Sequence, residues 1–599
     1  MKKQFYSNYG NIQVIISLLK QFGIRHIVVS AGTRHSPFIH SLENENLRGE
    51  SFFKLYSIVD ERSASFVALG LIQKLGEAVA IACTSGTATC NYVSAVQEAY
   101  FQRLPLLVIS ADRNPMYLYQ QEEQMSVQPD LFKGACKKSV NLPIVRDEKD
   151  RWYCARLVNE ALLELTQGQP APVHVNYPVE NNYPVEYGFM NFDTEILPPV
   201  RKINRLLPSD FEQKWNLWVN ELQEKKILII YGQHRTLKQE EVAIIEGFCK
   251  KYNCVISVDL LSNLTCSKTI ESFLLGRILF ADDIKTLLPD VVITMNGNSI
   301  AAIKDKLSSF KDKFRHIHIA EEGKVSDPFK CLPDVIGCSP LEFFKRFSQL
   351  SKGESDNSYY KMWEKYLHQI KQRGDLFKTE IPWSAVYTTQ QVMAQIPEGS
   401  LVHLANSNSV RICNFFPVKE TVEVYCNRGT NGIDGSMSSF VGNSMYHDKL
   451  SFLFIGDLSF FYDMNALWNR YIHKRIRIVV NNNEGGAIFY SYPSLENIPT
   501  LADNIAAEHT ASVKSWAEDR GFLYYGCRTK DELQECLKVF FDVTLEQPVV
   551  LECFTDKAGD ALVMKEFPMQ FTNTSQSLKS NIASKLSPEL KTAIKKILR

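Results

Sequence analysis

Short apolar runs alternate with segments of helical spacing along most of this 599-residue chain. In the first unit, residues 1–185, five runs are rich in β-branched and aromatic residues and are predicted to be strands: RHIVVS, KLYSIV, EAVAIAC, PLLVIS and APVHVNYP. Most of the segments between them can form helices. Strands that alternate with helices in this way predict an open, mostly parallel sheet with helices on both faces.

The same alternation occurs twice more. Residues 206–350 carry the runs KKILIIY, CVISVDL, DVVITMN and HIHIA, and residues 380–560 carry SLVHLA, TVEVYC, SFLFIG, RIRIVV, FLYYG and PVVLECF. The chain is therefore predicted to fold as three successive open, mostly parallel α/β domains.

Two connecting segments and a tail complete the chain. The Pro- and Asn-rich segment 178–205 is predicted to be a linker. Residues 351–378 are polar and weakly patterned, so no element is predicted there. Residues 575–599 end in KLSPELKTAIKKILR, which is typical of a solvated amphipathic helix.

One stretch of the third unit, Ser451–Phe489, brings polar residues into a strongly apolar pattern. SFLFI and RIRIVV are predicted strands, and MNALWNRYIHK between them has helical spacing and room for about three turns. Strands joined by a helix are usually parallel, with a right-handed crossover. Asp457 and the run Asn481–Asn483 would then meet at the carboxyl edge of the sheet, where α/β proteins bind their ligands.

Composition argues against nucleic-acid and membrane partners. Lys plus Arg and Asp plus Glu are both 67, so no net charge draws the chain to polyanions. No apolar run has the length needed to cross a bilayer, and the amino-terminal segment lacks the apolar core of a signal peptide. The 14 cysteines are scattered without a C-x-x-C pair, which indicates reduced thiols in a cytosolic protein.

The polar residues of the third unit have two interpretations. A carboxylate, an amide oxygen and a backbone carbonyl in a Gly loop suit a small hard cation such as Mg²⁺. The helix start after Gly456-Asp457 adds free N–H groups and the positive end of a helix dipole, which favour a phosphorylated ligand. In the simpler alternative, Asp457 caps a helix and the asparagines form a turn. Residue types alone leave both open.

Glu61 stands where a predicted strand gives way to a strongly apolar helix, in YSIVDERSASFVALGLI. A Glu at a helix start often only complements the helix dipole. The apolar residues that follow indicate a dry environment, which would raise the pKa of the carboxyl. A carboxyl of that kind suits proton exchange with a nitrogen heterocycle.

Six motifs occur in the order SAGTRHSP, DER, TSGTA, SADR, NRGTNGIDG and GDLS. Together they resemble the thiamine diphosphate enzymes, in particular the branch of that family that works in menaquinone biosynthesis. The resemblance covers the first and third units well and the middle unit mainly by position. Gly456-Asp457 with Asn483 is similar to the family's metal–diphosphate motif, although this chain has Gly-Asp-Leu-Ser where the family more often has Gly-Asp-Gly.

The resemblance implies thiamine diphosphate and Mg²⁺ (or Mn²⁺) as cofactors. Its metal ligands would be Asp457, Asn483 and the Gly485 carbonyl. Asn482 is the alternative to Asn483, because the third Asn leaves the register open by one. Glu61 would be the catalytic residue and would hydrogen-bond the aminopyrimidine ring. Further cofactor contacts are implied for Ile433 (between the two cofactor rings), Leu458, Ser459, Ile488 and Phe489.

The family reaction that this resemblance implies decarboxylates 2-oxoglutarate and adds the four-carbon unit to isochorismate. Both substrates are dicarboxylates, and Arg is the natural bidentate partner of a carboxylate. The resemblance implies substrate contacts by Thr33, Arg34, Arg113, Gln124, Ser407, Arg411 and Arg428. The family also uses a basic pair from the middle domain, but NGNSIAAIKDKL offers Lys304 or Lys306 and no Arg, so that contact is not assigned.

The family also places the pyrimidine-binding unit of one subunit against the diphosphate-binding unit of another. The resemblance therefore implies a homo-oligomer, at least a dimer and, as in the family, a tetramer. The cysteine pattern indicates a cytoplasmic protein. Two alternatives stay open. One is another thiamine diphosphate-dependent 2-oxoacid decarboxylase or carboligase, such as an acetohydroxyacid synthase or a pyruvate decarboxylase, although the Arg-bearing loops favour more anionic substrates. The other is a non-catalytic thiamine-fold module, against which the retention of Glu61, Asp457 and Asn483 argues.

Overall fold

Three six-stranded sheets, each flanked by helices, form the frame of the molecule. All strand pairs within these sheets are parallel. The predicted α/β class is confirmed, whereas the exact domain boundaries stay a prediction. The computed structural model describes residues 5–48, 51–179, 192–203, 212–300, 303–322, 326–329, 331–376, 380–492, 494–495 and 498–572.

The first unit contains the five predicted strands and two more. Its elements are β1 (Tyr6–Ser7), α1 (Gly10–Phe22), β2 (His26–Val29), α2 (Ser36–Arg48), β3 (Lys54–Ser57), α3 (Glu61–Leu75), β4 (Val79–Cys83), α4 (Thr87–Cys90), α5 (Val93–Gln102), β5 (Leu106–Arg113), a 3₁₀ turn (Pro115–Tyr117), β6 (Lys138–Asn141), α6 (Glu148–Thr166) and β7 (Val173–Val179). The sheet has the order β3-β2-β4-β5-β7-β6.

The predicted linker 178–205 is partly wrong. Pro178 still belongs to β7, and β8 (Phe192–Thr194) pairs antiparallel with β1. Residues 180–191 and 204–205 of this segment lie outside the described residues, as does the predicted terminal helix 575–599.

The middle unit contains the second six-stranded sheet. Its elements are α7 (Glu212–Leu222), β9 (Ile227–Tyr231), α8 (Gln239–Lys251), β10 (Cys254–Val258), a 3₁₀ turn (Leu260–Ser262), β11 (Thr269–Glu271), α9 (Phe273–Ile278), α10 (Ala281–Thr286), β12 (Val291–Met295), α11 (Ile303–Ser308), a 3₁₀ turn (Lys311–Lys313), β13 (Arg315–Ile319), β14 (Asp334–Ile336), α12 (Pro340–Leu350) and α13 (Ser358–Leu376). The sheet order is β11-β10-β9-β12-β13-β14. Helix α13 occupies residues 358–376 of the stretch 351–378, for which no element was predicted. Tyr359, Trp363 and Ile370 on one of its faces are buried, a narrow stripe that the surrounding charged residues conceal in the sequence.

The third unit confirms all six predicted strands. Its elements are α14 (Ala385–Met393), β15 (Leu401–Leu404), α15 (Asn408–Cys413), β16 (Glu423–Tyr425), α16 (Ser436–Ser444), β17 (Ser451–Gly456), α17 (Asp457–Tyr462), a 3₁₀ helix (Met464–Trp468), β18 (Ile476–Asn482), a 3₁₀ helix (Ala487–Ser491), a π-helical turn (Leu501–Ile505), α18 (Lys514–Asp519), β19 (Leu523–Cys527), α19 (Lys530–Phe540), β20 (Val549–Phe554), α20 (Lys557–Glu566) and a 3₁₀ helix (Phe567–Phe571). The sheet order is β16-β15-β17-β18-β20-β19.

The predicted three-turn helix over MNALWNRYIHK is wrong. Helix α17 begins earlier, at Asp457, and only Met464–Trp468 of the predicted segment is helical, as a 3₁₀ helix. Two side chains explain the break. Asp463 is buried and accepts hydrogen bonds from the backbone N–H and the hydroxyl of Ser438, both at 2.7 Å. Asn469 accepts from the Tyr471 N–H, a local bond that competes with helix hydrogen bonding.

Helices α3 and α16 form the main contact between the first and third units. A methyl group added at Gly70 would lie 2.1 Å from the Ser439 carbonyl oxygen, and one at Gly442 would lie 2.2 Å from the Val67 carbonyl oxygen. The two backbones are therefore in direct contact at the glycine of each helix. A larger residue at either position would collide with the facing backbone. This contact brings the amino-terminal ends of both helices together, with Ser63 and Ser438 hydroxyls 2.8 Å apart.

Two expectations from composition are consistent with the structure. All 14 cysteines are free thiols. Within the described residues, we find no helix that combines the length and the apolarity of a membrane span.

Candidate active site

Asp457 occupies the carboxyl edge of the third sheet. It follows β17 directly, and the register pairs Gly456 with Asn481 on the neighbouring parallel strand β18. Asp457 is only 2% exposed. Its Oδ2 accepts hydrogen bonds from the backbone N–H groups of Asn483 (3.1 Å) and Gly485 (3.0 Å), and its Oδ1 accepts from Leu458 N–H (2.6 Å). The two segments that the sequence predicted to meet are in direct contact.

The three consecutive asparagines differ in what their amide oxygens bind. Asn481 Oδ1 accepts from the Thr388 hydroxyl. Asn482 Oδ1 accepts from Glu484 N–H, while its amide donates to the Ala511 carbonyl and to Glu552. Asn483 Oδ1 is buried and finds no donor among the described residues. Of these three asparagines, only Asn483 has a buried amide oxygen that is free for a ligand among the described residues.

The orientation of the Asn483 amide is set by Asp560. Asn483 Nδ2 donates to Asp560 Oδ2 at 3.0 Å, and the same carboxylate accepts from the Thr555 hydroxyl and from Ala385 N–H. Because a carboxylate only accepts hydrogen bonds, the amide nitrogen must face Asp560 and the oxygen must face away. A carboxylate and an unpaired amide oxygen are ligands that suit Mg²⁺, so these residues fit a hard cation. Within the described residues, no cluster of three His, Cys, Asp or Glu side chains offers a rival metal site.

His509 is a neighbour of this site that the sequence did not reveal. Its Nε2 lies 3.4 Å from Asp457 Oδ2, and its backbone N–H donates to the Glu484 carbonyl. The contact with Asp457 raises the pKa of the imidazole above its usual value, against the opposing effect of burial. His509 stands in an unremarkable segment, AAEHTAS, so only the folded chain shows this proximity.

The loop Asn427–Gly435 lies beside Asp457. The Ser459 hydroxyl donates to the Ile433 carbonyl at 2.6 Å, which ties the start of α17 to the loop. Ile433 is half-buried, as are Ile488 and Phe489 in the 3₁₀ helix after the asparagines. The predicted cofactor contacts of the third unit are therefore gathered around one sheet edge.

Glu61 is the first residue of α3, directly after the capping residue Asp60. Burial raises the pKa of the Glu61 carboxyl above its usual value, and the nearby charge of Asp60 adds to the rise. Its neighbours contact the third unit of the same chain: Asp60 Oδ2 accepts from Asn465, and Arg62 donates to the Tyr462 carbonyl. No hydrogen bond joins Glu61 to Asp457 or Asn483 in the described part of the chain.

Ser407, Arg411 and Arg428 form a basic group near the ends of β15 and β16. Ser407 has φ +69° and ψ −127°, a strained conformation for a residue other than Gly and one that often marks a functional position. Its carbonyl accepts from Arg411 Nη1 at 2.6 Å. Arg428 is buried, with Nη1 donating to Asn406 Oδ1 at 3.1 Å and Nε unpaired among the described residues.

The charges of this group act on one another. Burial, followed by the charge of Arg428, lowers the pKa of Arg411, and Arg277 of helix α9 contributes in the same direction. Arg277 was not a predicted site residue. Its helix is held against the third unit by Phe273, whose ring centroid is 5.2 Å from that of Phe415. Among the described residues, none of the three guanidinium groups forms an ion pair, an arrangement that favours an anionic ligand.

Of the four predicted substrate residues of the first unit, Arg113 is the last residue of a strand, and Thr33, Arg34 and Gln124 lie in loops that follow strands of its sheet. Thr33 is exposed and Arg34 is buried, with its N–H donating to the Thr84 hydroxyl at 3.2 Å. Arg113 ends β5 and donates to Glu122 Oε2 at 2.9 Å. Gln124 has a positive φ of 52°, and its backbone packs against Gly86. Lys304 and Lys306 lie on helix α11 of the middle unit.

The middle unit contacts the third unit at the topological switch point between β9 and β12. Gln233, after β9, donates to the Cys426 carbonyl at 2.7 Å, and Asn298, after β12, donates to the Arg428 carbonyl at 2.8 Å. A cavity of about 350 Å³ borders these contacts and is lined in part by Arg103 and Asn296. Arg428 and Gly429 are among the residues that line this cavity, whereas Asp457 is not.

Comparisons with known proteins agree with this geometry. Residues 12–131 match the family described as thiamine pyrophosphate enzyme, N-terminal TPP binding domain. Three similar proteins carry the name 2-succinyl-5-enolpyruvyl-6-hydroxy-3-cyclohexene-1-carboxylate synthase. That of Bacteroides fragilis is 35% identical over 95% of this chain and 100% of its own length. That of Phocaeicola vulgatus is 36% identical over 94% and 98%, and that of Flavobacterium psychrophilum is 31% identical over 93% and 98%. The chain therefore belongs to the 2-succinyl-5-enolpyruvyl-6-hydroxy-3-cyclohexene-1-carboxylate synthase family of thiamine diphosphate enzymes.

Proposed function

We propose that this synthase decarboxylates 2-oxoglutarate and adds the four-carbon unit to isochorismate, which yields 2-succinyl-5-enolpyruvyl-6-hydroxy-3-cyclohexene-1-carboxylate and CO₂ for menaquinone biosynthesis. The observation that carries the proposal is the buried pair of Asp457 and the donor-free Asn483 Oδ1 at one sheet edge. The names of the relatives supply the product.

Asp457, Asn483 and the Gly485 carbonyl would hold Mg²⁺ (or Mn²⁺), which in turn binds the diphosphate. Asn483 is favoured over Asn482 because Asn482 already uses both ends of its amide within the fold. Leu458 and Ser459 would complete this end of the cofactor site. Thiamine diphosphate, when bound, supplies the nucleophilic carbon and the electron sink for decarboxylation.

Glu61 would exchange a proton with the aminopyrimidine ring through its carboxyl. Its raised pKa suits this role, since a general acid–base group works best when its pKa lies nearer the operating pH. Ile433 would separate the two cofactor rings, and Ile488 and Phe489 would keep water away from the reacting carbon.

The substrate carboxylates would be bound by guanidinium groups. Arg411 and Arg428 have no ion-pair partner among the described residues, which makes them the natural partners of a dicarboxylate. Ser407 would bind the substrate beside them. In the first unit, Thr33, Arg34, Arg113 and Gln124 would bind the isochorismate side.

The oligomer is part of the proposal. We expect a cytoplasmic homodimer at least, and a homotetramer by family habit, in which Glu61 of one subunit serves the Asp457 site of another. Mixing Glu61→Gln and Asp457→Asn chains would test this arrangement. Mixed dimers would regain activity at one intact site if the two residues come from different chains, whereas a site built within one chain would stay inactive in every combination.

Mass spectrometry of the reaction product tests the function itself. With 2-oxoglutarate, isochorismate, thiamine diphosphate and Mg²⁺, we expect the succinyl adduct and release of CO₂. Release of CO₂ from pyruvate in preference to 2-oxoglutarate, or no adduct with isochorismate, would reject the proposed substrates.

A further inference from the structure

Glu98 of helix α5 is a buried carboxylate outside the residues discussed so far. It is 1% exposed and has no ion-pair partner among the described residues. Four hydrogen bonds satisfy it instead. Oε1 accepts from Gly429 N–H (2.8 Å) and Gln102 Nε2 (2.5 Å), and Oε2 accepts from the N–H (2.7 Å) and the hydroxyl (2.6 Å) of Thr430.

Three of these bonds go to the loop that carries Arg428. The peptide on the other side of Arg428 is also held, because the Asn406 amide donates to the Asn427 carbonyl at 2.5 Å. The Arg428 carbonyl itself accepts from Asn298 of the middle unit. The backbone around Arg428 is thus fixed from all three units.

The contact leaves no room for adjustment. A methyl group added at Gly429 would lie 2.7 Å from the Glu98 carbonyl oxygen and 3.0 Å from Phe101 Cβ. Glycine is required at this close approach. This close approach packs the backbone of Gly429 directly against helix α5, next to the residue from which the Arg428 side chain extends.

We propose that Glu98 is a positioning residue that sets the place of the Arg428 guanidinium for the substrate carboxylate. The inference rests on the proposed function, since it presupposes that Arg428 binds substrate. A carboxylate that accepts two consecutive backbone N–H groups fixes a loop more tightly than a neutral acceptor, because hydrogen bonds to a charged group are stronger. A misplacement of about 1 Å can cost an enzyme roughly 100-fold, and where the misplaced group binds the substrate in the ground state the loss is seen as a higher KM.

The alternative is that Glu98 merely joins the first unit to the third. Glu423 provides a matched control for this alternative. It pairs with Lys74 Nζ across the same two units at 2.7 Å and accepts a hydrogen bond from the Tyr425 hydroxyl. Among the described residues, neither contact reaches the Arg428 loop. A Glu423→Gln change removes an inter-unit ion pair and leaves the loop alone.

The test is a double-mutant cycle between Glu98→Gln and Arg428→Ala in the full-length enzyme. The glutamine keeps the size of the side chain but turns an N–H₂ group toward a backbone N–H. We expect Glu98→Gln to raise the KM for a dicarboxylate substrate roughly 10- to 100-fold, with thiamine diphosphate affinity at the wild-type value. In the Arg428→Ala background the same change should raise KM no further, since coupled residues are not additive. Thr430→Val removes one of the four hydrogen bonds and is the milder variant if Glu98→Gln does not fold. It should raise KM by a smaller factor, and it should raise KM no further in the Arg428→Ala background.

The outcomes distinguish a failure of the positioning role of Glu98 from a failure of the proposed function. Equal KM effects of Glu98→Gln with and without Arg428, or an equal KM rise in Glu423→Gln, would overturn the positioning role and leave the proposed function intact. If Arg428→Ala alone leaves the KM of both substrates unchanged, the role of Arg428 in the proposed function fails, and the inference on Glu98 fails with it.

Discussion

The first and third sheets are two copies of one frame with different chemistry at their edges. When the strands of each six-stranded sheet are numbered in chain order, both sheets have the order 2-1-3-4-6-5. In both, the helix after the second strand, α3 or α16, forms the contact between the units. In the third unit, the residues after the third and fourth strands include Asp457 and Asn483, with an amide oxygen left unpaired.

The corresponding positions of the first unit offer no unpaired carboxylate or amide oxygen among the described residues. The third strand, β4, is followed by the small residues Thr84, Ser85 and Gly86. At the end of the fourth strand, β5, Asp112 accepts from Asn176 Nδ2 (2.9 Å) and from Arg113 N–H (2.8 Å), so both of its oxygens are in use. The carboxyl that we propose for proton exchange is instead Glu61, after the second strand. A shared fold therefore does not imply a shared role, because the loops decide which atoms remain free.

The largest effect should come from removing the reactive carboxyl of the first unit. In Glu61→Gln, we expect kcat to fall about 100- to 10,000-fold, the range that general acid–base groups contribute. The amide keeps the size of the side chain, so the helix start at Asp60 should be unaffected. Steady-state kinetics beside the thermal unfolding midpoint would check both points, and near wild-type turnover would remove Glu61 from the mechanism.

The next effect separates adjacent asparagines of the third unit. Asn483→Ala should weaken Mg²⁺ binding, measured with thiamine diphosphate present, by at least about 10- to 100-fold, a loss that even indirect contacts to a metal can cause. Asn482→Ala should instead lower the free energy of unfolding by about 1–3 kcal/mol, because it leaves Glu552 with one donor fewer in a buried place. The reverse pattern would move the metal ligand to Asn482.

Substrate affinity should respond to the basic group of the third unit. Arg411→Ala should raise the KM for 2-oxoglutarate or isochorismate about 10- to 100-fold, as expected for the loss of a charge-assisted hydrogen bond of 1.5–3 kcal/mol. Thiamine diphosphate affinity should not change, because Arg411 is not among the contacts of Asp457 or Asn483. A parallel loss of cofactor affinity, seen by calorimetry, would contradict its assignment to the substrate.

The smallest effect concerns the titration of Glu61. The negative charge of Asp60 disfavours the ionised form of Glu61 and so raises its pKa. Asp60→Asn removes this charge and keeps an equally good helix cap, so the pKa of Glu61 should fall. The inflection of the kcat/KM profile that depends on Glu61 should therefore move to lower pH, by less than about one unit. An unmoved inflection, or one displaced upward, would contradict the electrostatic link.

Much of this frame was predictable because its strands are strong signals. All six strands of the third sheet stand out as β-branched and aromatic runs, and the four inner strands are buried almost throughout, as parallel strands usually are. The missed strands of the three main sheets, β6, β11 and β14, are short, with the sequences KSVN, TIE and DVI. The missed strands β1 and β8 are shorter than four residues as well, and only pairing in a sheet makes these segments strands. The helix predicted over MNALWNRYIHK failed because Asp463 bonds a distant residue, Ser438.

The site was predictable to a similar degree. The spacing of Asp457 and the asparagine run followed from the strand–helix–strand pattern, but the choice among three asparagines did not. That choice depends on Asp560, Glu552 and Thr388, which lie far away in the sequence and surround the asparagines only after folding. Glu98, Arg277 and His509 escaped prediction for the same reason, since each gains its place through contacts between distant segments.

We expect the edge of the third sheet to bind the metal and the edge of the first sheet to exchange the proton. Calorimetric titration of thiamine diphosphate in the presence of Mg²⁺ tests this assignment most directly. The Glu61→Gln enzyme should bind the cofactor with nearly wild-type affinity, whereas Asp457→Asn should bind it at least about 100-fold more weakly. Undiminished binding in Asp457→Asn, or a comparable loss in both variants, would contradict the claim that the third edge holds the metal and the first handles the proton.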